Sequence, residues 1–407
     1  MLKILHTSDL HIGKRLYQAE LHQEQKLFFQ WLTEYIRQEK IDVLLISGDV
    51  FDVANPSSES RRIYFGLLRE LMILKCKVII VGGNHDSPAV LEAPRELLKH
   101  LDIFVTGNLP EDYKQMLVPV KSTEGKTEAV IAGIPFLRDA DLRRYQQNEN
   151  HEERTEVIRQ GIASVFQQTA EACKEHFPGI PAIAMGHLFV QGGAVSESER
   201  EIQVGNLAGL EVQYLPDYFS YYALGHLHKP QEPGEKIIYS GSPVQLSFSE
   251  AGNKNRVMLI VVNDQGIAYE NVPVPIHRKL VRMEGTLEDI RAQLHQYSPG
   301  DGTLPDFIEL IALEEKHDPT KLLELETLIE GFTNDHAVIL KHRISFADKP
   351  LGTASLYDTS QSIAEMKPHE VFVKRLDKEE LPGATRDMLL EAFREVLEEV
   401  QQSFHEE

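Results

Sequence analysis

Carboxylate, imidazole and amide side chains cluster at five places in the chain. They are Asp9 and His11 in SDLH, Asp49 and Asp52 in GDVFD, Asn84, His85 and Asp86 in GNHD, His187 in GH, and His226 and His228 in GHLH. Such groups hold divalent cations or move protons. In extended backbone, residues i and i+2 point to the same side, so Asp9 with His11, and His226 with His228, can each offer two donors to one site. Hard oxygens and imidazoles without thiolate suit manganese, iron, zinc or magnesium rather than copper(I) or an iron–sulfur cluster. Asp9, His11, Asp49, Asn84, His187, His226 and His228 are too many ligands for one catalytic ion that keeps a position open. Two ions bridged by a carboxylate fit better, because a pair about 3.5–4 Å apart can activate a water and clamp phosphoryl oxygens during in-line displacement. His6, His22, His100, His151 and His176 lie outside these clusters and read as ordinary core or surface histidines.

Each cluster follows an apolar run that must present it. LKILHTSD, an amphipathic stretch from His22 to Glu39, DVLLISGD, a second stretch from Ser57 to Leu74, and KVIIVGGNHD give a βαβαβ order. That order implies parallel strands with helical crossovers, and ligands gather at the carboxyl ends of such strands. The glycines before Asp49, Asn84, His187 and His226 permit sharp bends and close backbone approach there. AVIAGIPF, PAIAMGH and YYALGHLH continue the theme, with a helix expected from about Glu152 to His176; KIIYSGSP, RVMLIVV and GIAYENVPV read as further strands. The expected fold class is α/β, with two packed mixed sheets flanked by helices. VPVPIHRK at 272–279 marks a boundary, followed by a β-α-β-α-β pattern up to residue 344. A linker then leads to an apolar helical stripe of Met388, Leu389, Ala392, Phe393, Val396, Leu397 and Val400, which either docks on its own domain or grips a partner helix. The expected divisions are 1–275, 276–348 and 349–407.

A chain of 407 residues, 42% hydrophobic and 26% charged, has material for a large core and two or three units. No membrane-spanning run or signal peptide is evident, so the expected location is cytoplasmic. Cys76 and Cys173 are too few for a disulfide framework or a thiolate metal site. The net charge of −21 weighs against nonspecific nucleic-acid binding, although bound cations and the basic pairs Lys14-Arg15, Arg61-Arg62 and Arg143-Arg144 can offset it locally. Taken singly, those pairs read as solvated helix faces. EGKT at 124–127 has the ending of a phosphate-binding loop, but Val120 stands where that loop needs glycine, so a hairpin tip is expected and ATP hydrolysis is not.

The ordered set D-x-H, GD, GNH(D), GH and GHxH resembles the calcineurin-like metallophosphoesterases. Within them, ILHTSDLHIGK, GDVFD followed by Pro56-Ser57, GNHDS and SESERE are similar to the SbcD-type nuclease subunits, whose archaeal and eukaryotic relatives act in double-strand-break repair. The resemblance covers residues 1 to about 275 closely and is architectural beyond. It implies one metal held by Asp9, His11, Asp49 and His228, and another by Asp49, Asn84, His187 and His226. Mn2+ is the expected ion, with Mg2+ as the alternative in vivo. His85, with no metal to bind, would protonate the leaving oxygen or stabilise the phosphoryl group. Asp86 would orient that imidazole or, equally, serve as a turn residue; Asp52 would be an outer support or a cap. The resemblance further implies 3′-to-5′ exonuclease activity on duplex DNA, endonuclease activity on single strands or hairpins, and an SbcC-like ATPase partner gripped by the C-terminal helices. The segment from 276 would cap the active-site face and help hold DNA. A homodimer within a heterotetramer, associated with the nucleoid when DNA is bound, is also implied; the helix bearing Phe65, Leu68, Leu71 and Met72 is one candidate interface. Asp52 in place of a tyrosine argues against the purple acid phosphatases, and GDVFDVA with GNHD against the serine/threonine phosphatases. A small-molecule phosphodiesterase or nucleotidase is the alternative enzyme. A scaffold without activity is disfavoured by the intact ligand set.

Overall fold

The computed structural model describes residues 1–122, 124–142, 151–194, 209–300, 302–316, 318 and 320–348, with scattered positions from 372 to 393. Arg143-Arg144, SESERE and the linker after 348 lie outside the described residues, as do Met388, Val396, Leu397 and Val400 of the apolar stripe. Contact density divides the chain into Met1–Val281 with Pro299–Phe307, and Arg282–Ser298 with Ile308–Glu407.

In the first unit, alternate residues of each apolar run enter different cores, so the strands are sandwiched between layers. β1 (Leu2–Thr7) sends Ile4 one way and Leu5 the other. β2 (Val43–Ser47) does the same with Val43 and Leu45 against Leu44 and Ile46, and β3 (Lys77–Val81) with Ile79 and Val81 against Val78 and Ile80. Leu5, Leu44, Ile46, Val78 and Ile80 meet Phe28, Leu32 and Ile36 of α1 (His22–Glu39) and Leu67, Leu68 and Leu71 of α2 (Ser58–Ile73). Helix α2 begins where the Ser57 side chain accepts the Ser60 N–H, and α1 stops at Lys40 in left-handed geometry.

The chain continues through β4 (Ile103–Thr106), β5 (Leu117–Lys121), β6 (Thr127–Gly133), α3 (His151–His176), β7 (Ala182–His187), β8 (Tyr221–Gly225), β9 (Gln231–Gly234), β10 (Ile237–Tyr239), β11 (Arg256–Asn263) and β12 (Gly266–Pro273). One six-stranded sheet has the order β12-β11-β1-β2-β3-β4, parallel from β1 to β4 with β11 and β12 antiparallel. The other has the order β9-β10-β8-β7-β6-β5, with its central strands parallel. Ile4, Leu45 and Ile79 of the first face Ile131, Ile183 and Ala223 of the second in a shared core, and α3 covers the second sheet's outer face with Ile158, Ile162, Val165 and Phe166. The two packed mixed sheets expected from the sequence are present. Between β5 and β6 the Ser122 N–H donates to Lys126 O, so EGKT is a hairpin tip.

His6 lies in β1, fully buried, with Nδ1 3.1 Å from the Tyr221 hydroxyl. Burial pushes its imidazole down to about 3, so it stays neutral in the fold while the unfolded chain protonates it near its ordinary value. The unfolded state thus binds more protons below about pH 6.5, and stability falls as the pH drops. Denaturant titrations at pH 7.5 and 5.0 are expected to show the wild type losing about 2 kcal/mol more than His6→Leu. Equal losses would mean that His6 does not contribute.

The second unit is built on a three-stranded sheet of β13 (Leu280–Gly285), β14 (Asp306–Lys316) and β15 (Ala337–Asp348), in that order, with α4 (Leu287–Gln296) and α5 (Thr320–Glu330) between them in sequence. A capping box of Thr286 and Asp289 starts α4. Buried Glu309 is paired by Arg282 and Lys341. Among the described residues no helix is long and apolar enough to cross a membrane.

Candidate metal centre

The five clusters sit at the ends of β1, β2, β3, β7 and β8. Asp9, His11, Asp49 and His226 all have positive φ, at 53°, 42°, 47° and 107°. Such geometry is costly for residues with a Cβ and persists where the surroundings enforce it. Here the enforcement is visible: Asp9 N–H donates to Gly48 O at 3.1 Å, His11 N–H to Asp49 O at 2.9 Å, and His226 N–H to Asp9 Oδ1 at 3.0 Å. Three glycines are required for close approach, and a Cβ on Gly48 would lie 2.1 Å from His187 Nδ1. A Cβ on Gly83 would lie 2.1 Å from Asp49 Oδ1, and one on Gly225 would lie 1.9 Å from Ser47 O. Gly186 differs, because its Cβ would meet Leu188 and Phe166, a matter of apolar packing rather than of the site.

Asp49 Oδ2 is 3.4 Å from His187 Nε2, 3.5 Å from His11 Nε2 and 4.0 Å from His85 Nε2. His187 Nε2 is 2.9 Å from Asn84 Oδ1, and His11 Nε2 is 3.2 Å from His228 Nε2. The other ring nitrogen of each of these histidines faces an acceptor: His11 Nδ1 meets Asp52 Oδ1 at 3.1 Å, His187 Nδ1 meets Ser47 O at 3.0 Å, and His228 Nδ1 meets Glu250 Oε1 at 3.0 Å. Those contacts put the proton on Nδ1 and leave a lone pair on Nε2. Lone pairs of imidazoles, a carboxylate and an amide oxygen therefore converge on one pit, an arrangement that repels itself until a cation enters. The residues fit divalent metal, with the outer acceptors fixing tautomers as metal sites require. Asp9, His11 and His228, and likewise Asp9, Asp49 and His187, have ligand atoms within 4.8 Å of one another. The His226 ring stands 5.4 Å from that of His187.

Without a cation, a proton takes its place: burial would lower the His187 imidazole, but the Asp49 carboxylate outweighs it and raises the group to about 9. Burial would raise the Asp49 carboxyl, but the imidazoles of His187, His85 and His11 outweigh it and hold the group well below the usual carboxylate range. Burial and the neighbouring His187 keep His226 well below its ordinary value, a neutral donor.

His85 Nδ1 lies 2.7 Å from the backbone carbonyl of Asp52, while its N–H donates to Asp49 Oδ1 at 2.9 Å. This corrects the expectation that Asp86 orients His85. The Asp86 carboxylate instead accepts the N–H groups of Val50 at 3.0 Å, Phe51 at 2.9 Å and Gly83 at 2.9 Å, tying the loop after β2 to the loop after β3. Burial and the nearby Asp49 push its carboxyl up to about 6, against the pull of those amides. Asp52 does act as an outer support, shared between His11 and the Lys14 ammonium at 3.2 Å.

Sequence reasoning missed Glu250, buried behind His228; Ser8 and Ser240, 2.9 Å apart, with Ser8 donating to Asp9; Gln25, which donates to His11 O at 2.6 Å; and Arg138, which donates to Asp86 O at 2.9 Å. None carries a motif. Glu250→Ala would strip the His228 Nδ1 acceptor, and isothermal titration with Mn2+ is expected to show affinity reduced by about 10–100-fold. Unchanged affinity would remove Glu250 from the site.

A family model described as calcineurin-like phosphoesterase matches residues 2–230. The chain belongs to that family. It is 31% identical over 402 residues to the SbcD subunit of the nuclease SbcCD from Escherichia coli strain K12, spanning 97% of this chain and 98% of that one. It is 33% identical over 319 residues to the corresponding nuclease subunit from Rhodobacter capsulatus, spanning 75% and 77%. A solved dimetal phosphatase from Danio rerio aligns at 12% identity and a TM-score of 0.40, over 68% of this chain and 97% of that one. As a calcineurin-like phosphoesterase, the chain is a metal-dependent hydrolase, and its converging acceptors are the groups such chemistry needs.

Proposed function

We propose that the chain is the nuclease subunit of an SbcC–SbcD-like complex, cutting DNA from 3′ ends of duplexes and internally in single strands and hairpins. The observation that carries this reading is the pit of lone pairs around Asp49, joined to likeness along nearly the whole chain to proteins described as nuclease subunits. Asp9, His11, Asp49 and His228 would hold one ion and Asp49, Asn84, His187 and His226 the other, with Mn2+ as the metal. When bound, the ions acidify water and neutralise charge on the phosphoryl oxygens. The protein's share is to position and to move a proton. Asp49 stands between the imidazole sets. His85, held through Nδ1 by the Asp52 carbonyl, keeps Nε2 toward the pit, where it would deliver a proton to the departing sugar oxygen.

In this reading residues 276–348 form a cap that helps hold DNA, and the C-terminal helices grip the coiled coil of the ATPase partner. The Phe372 and Phe393 rings stack 3.9 Å apart, which supports pairing of two helical segments there. On α2, Leu68 and Leu71 are buried while Phe65 and Met72 are exposed, leaving the latter two for contact with a second copy. A cytoplasmic location accords with such a substrate.

The test is cleavage of a labelled linear duplex, a DNA hairpin and bis(p-nitrophenyl) phosphate by the purified chain with Mn2+, with and without the ATPase partner and ATP. DNA cleavage is expected. Hydrolysis of the small diester alone under every condition would make this a small-molecule phosphodiesterase, the reading that the net charge of −21 favours.

A further inference from the structure

Beside the first turn of α1, where the chain leaves β12, a cavity of about 30 Å³ is lined in part by Glu24, Gln245, Asn255, His277 and Arg278. Four of these residues carry a buried polar atom without a hydrogen-bond partner: Glu24 Oε2, Gln245 Oε1, Asn255 Oδ1 and His277 Nε2. Glu24, Gln245 and Asn255 are 5%, 7% and 4% exposed, so bulk water does not relieve them. Their orientations are set by their other polar atoms. Glu24 Oε1 accepts from Arg278 Nε, Gln245 Nε2 donates to Glu250 O at 3.2 Å, and Asn255 Nδ2 donates to Ser242 O at 2.7 Å. Flipping either amide would sacrifice that donation, so the oxygens remain the atoms in want of a partner. His277 Nδ1 is 3.3 Å from Thr303 Oγ1.

Buried polar atoms are rarely left alone, and several lining one cavity point to an occupant. The space exceeds the roughly 10–15 Å³ that one water needs. Yet a buried water makes about three hydrogen bonds and wants donors as well as acceptors, whereas the three unpartnered oxygens only accept. A cation has no such need. Glu24 is the one carboxylate of the set, and Arg278 already offsets it, so a single positive charge suits the amide oxygens better than a double one. We propose that this cavity binds a monovalent alkali cation through Glu24 Oε2, Gln245 Oε1 and Asn255 Oδ1, with a companion water beside His277 Nε2. The ion would brace the metal centre from behind, because Gln245 holds the backbone of Glu250 and the Glu250 carboxylate faces His228.

Crystals of the full chain grown in a rubidium salt are expected to show an anomalous peak in the cavity. In solution, with EDTA present to empty the catalytic site, the unfolding midpoint is expected to be about 2 °C higher in potassium chloride than in choline chloride of equal ionic strength. Glu24→Gln removes the carboxylate and is expected to abolish that difference. Water alone in the cavity, with equal midpoints in both salts, would overturn the assignment. The rubidium measurement uses the wild type and decides the matter even if the variant folds poorly. Neither readout involves phosphoester hydrolysis.

Discussion

Turnover of a phosphodiester by His85→Ala is expected to fall by about 100- to 10,000-fold while divalent metal remains bound. The geometry separates the two properties. The proposed metal ligands His11, His187 and His228 turn Nδ1 to outer acceptors and share a pit through Nε2 contacts of 2.9–3.5 Å. His85 also anchors Nδ1, but its Nε2 stands back at 4.0 Å from Asp49 Oδ2. In the proposed reading that nitrogen carries the proton for the leaving oxygen. Truncation to alanine leaves the His85 N–H to Asp49 Oδ1 contact intact, because it is made by the backbone. The check is kcat and KM beside metal content by mass spectrometry. Loss of metal would make His85 a ligand, and a fall of less than tenfold would place the proton donor elsewhere.

Asp49→Asn is expected to be more severe, removing about 99% or more of activity together with tight metal binding. Among the described residues, Asp49 is the one carboxylate within 4.0 Å of histidines from three different strand ends, those of His11, His85 and His187. An amide offers an oxygen at the same place but carries no charge to balance two cations. Asparagine can still accept the His85 N–H, so the loop after β3 keeps its backbone and a folding defect is not expected. Titration with Mn2+ followed by a circular dichroism melt distinguishes the outcomes. Retention of two tightly bound ions would refute the shared-ligand role.

The strands and the polar clusters at their ends were legible because both obey short-range rules. Val43 to Ser47 and Lys77 to Val81 announce buried strands by composition, and i, i+2 spacing pairs Asp9 with His11 whatever lies elsewhere. What supports the ligands was hidden, since it depends on long-range contacts. The Tyr221 hydroxyl beside His6 is 215 residues away, and Ser240 reaches Ser8 across 232. Glu250 sits in an ordinary polar stretch and acquires meaning only when a short turn brings it under His228. Asp86 misled for the opposite reason. Adjacency to His85 suggested a partnership, but at a strand end neighbouring side chains diverge, and three unpaired backbone amides claimed the carboxylate.

In the first sheet β1 is flanked by β2 on one side and by β11 on the other, although β11 arrives some 250 residues later. A chain emerging from the ribosome can therefore assemble the β1-to-β4 ribbon early, but β1 stays an open edge until Arg256–Asn263 has been made and inserted, and His11 lacks His228 until that later residue has been made. A hydrolase so arranged has an incomplete centre through the first half of its synthesis, and the late strand seals the sheet rather than the site.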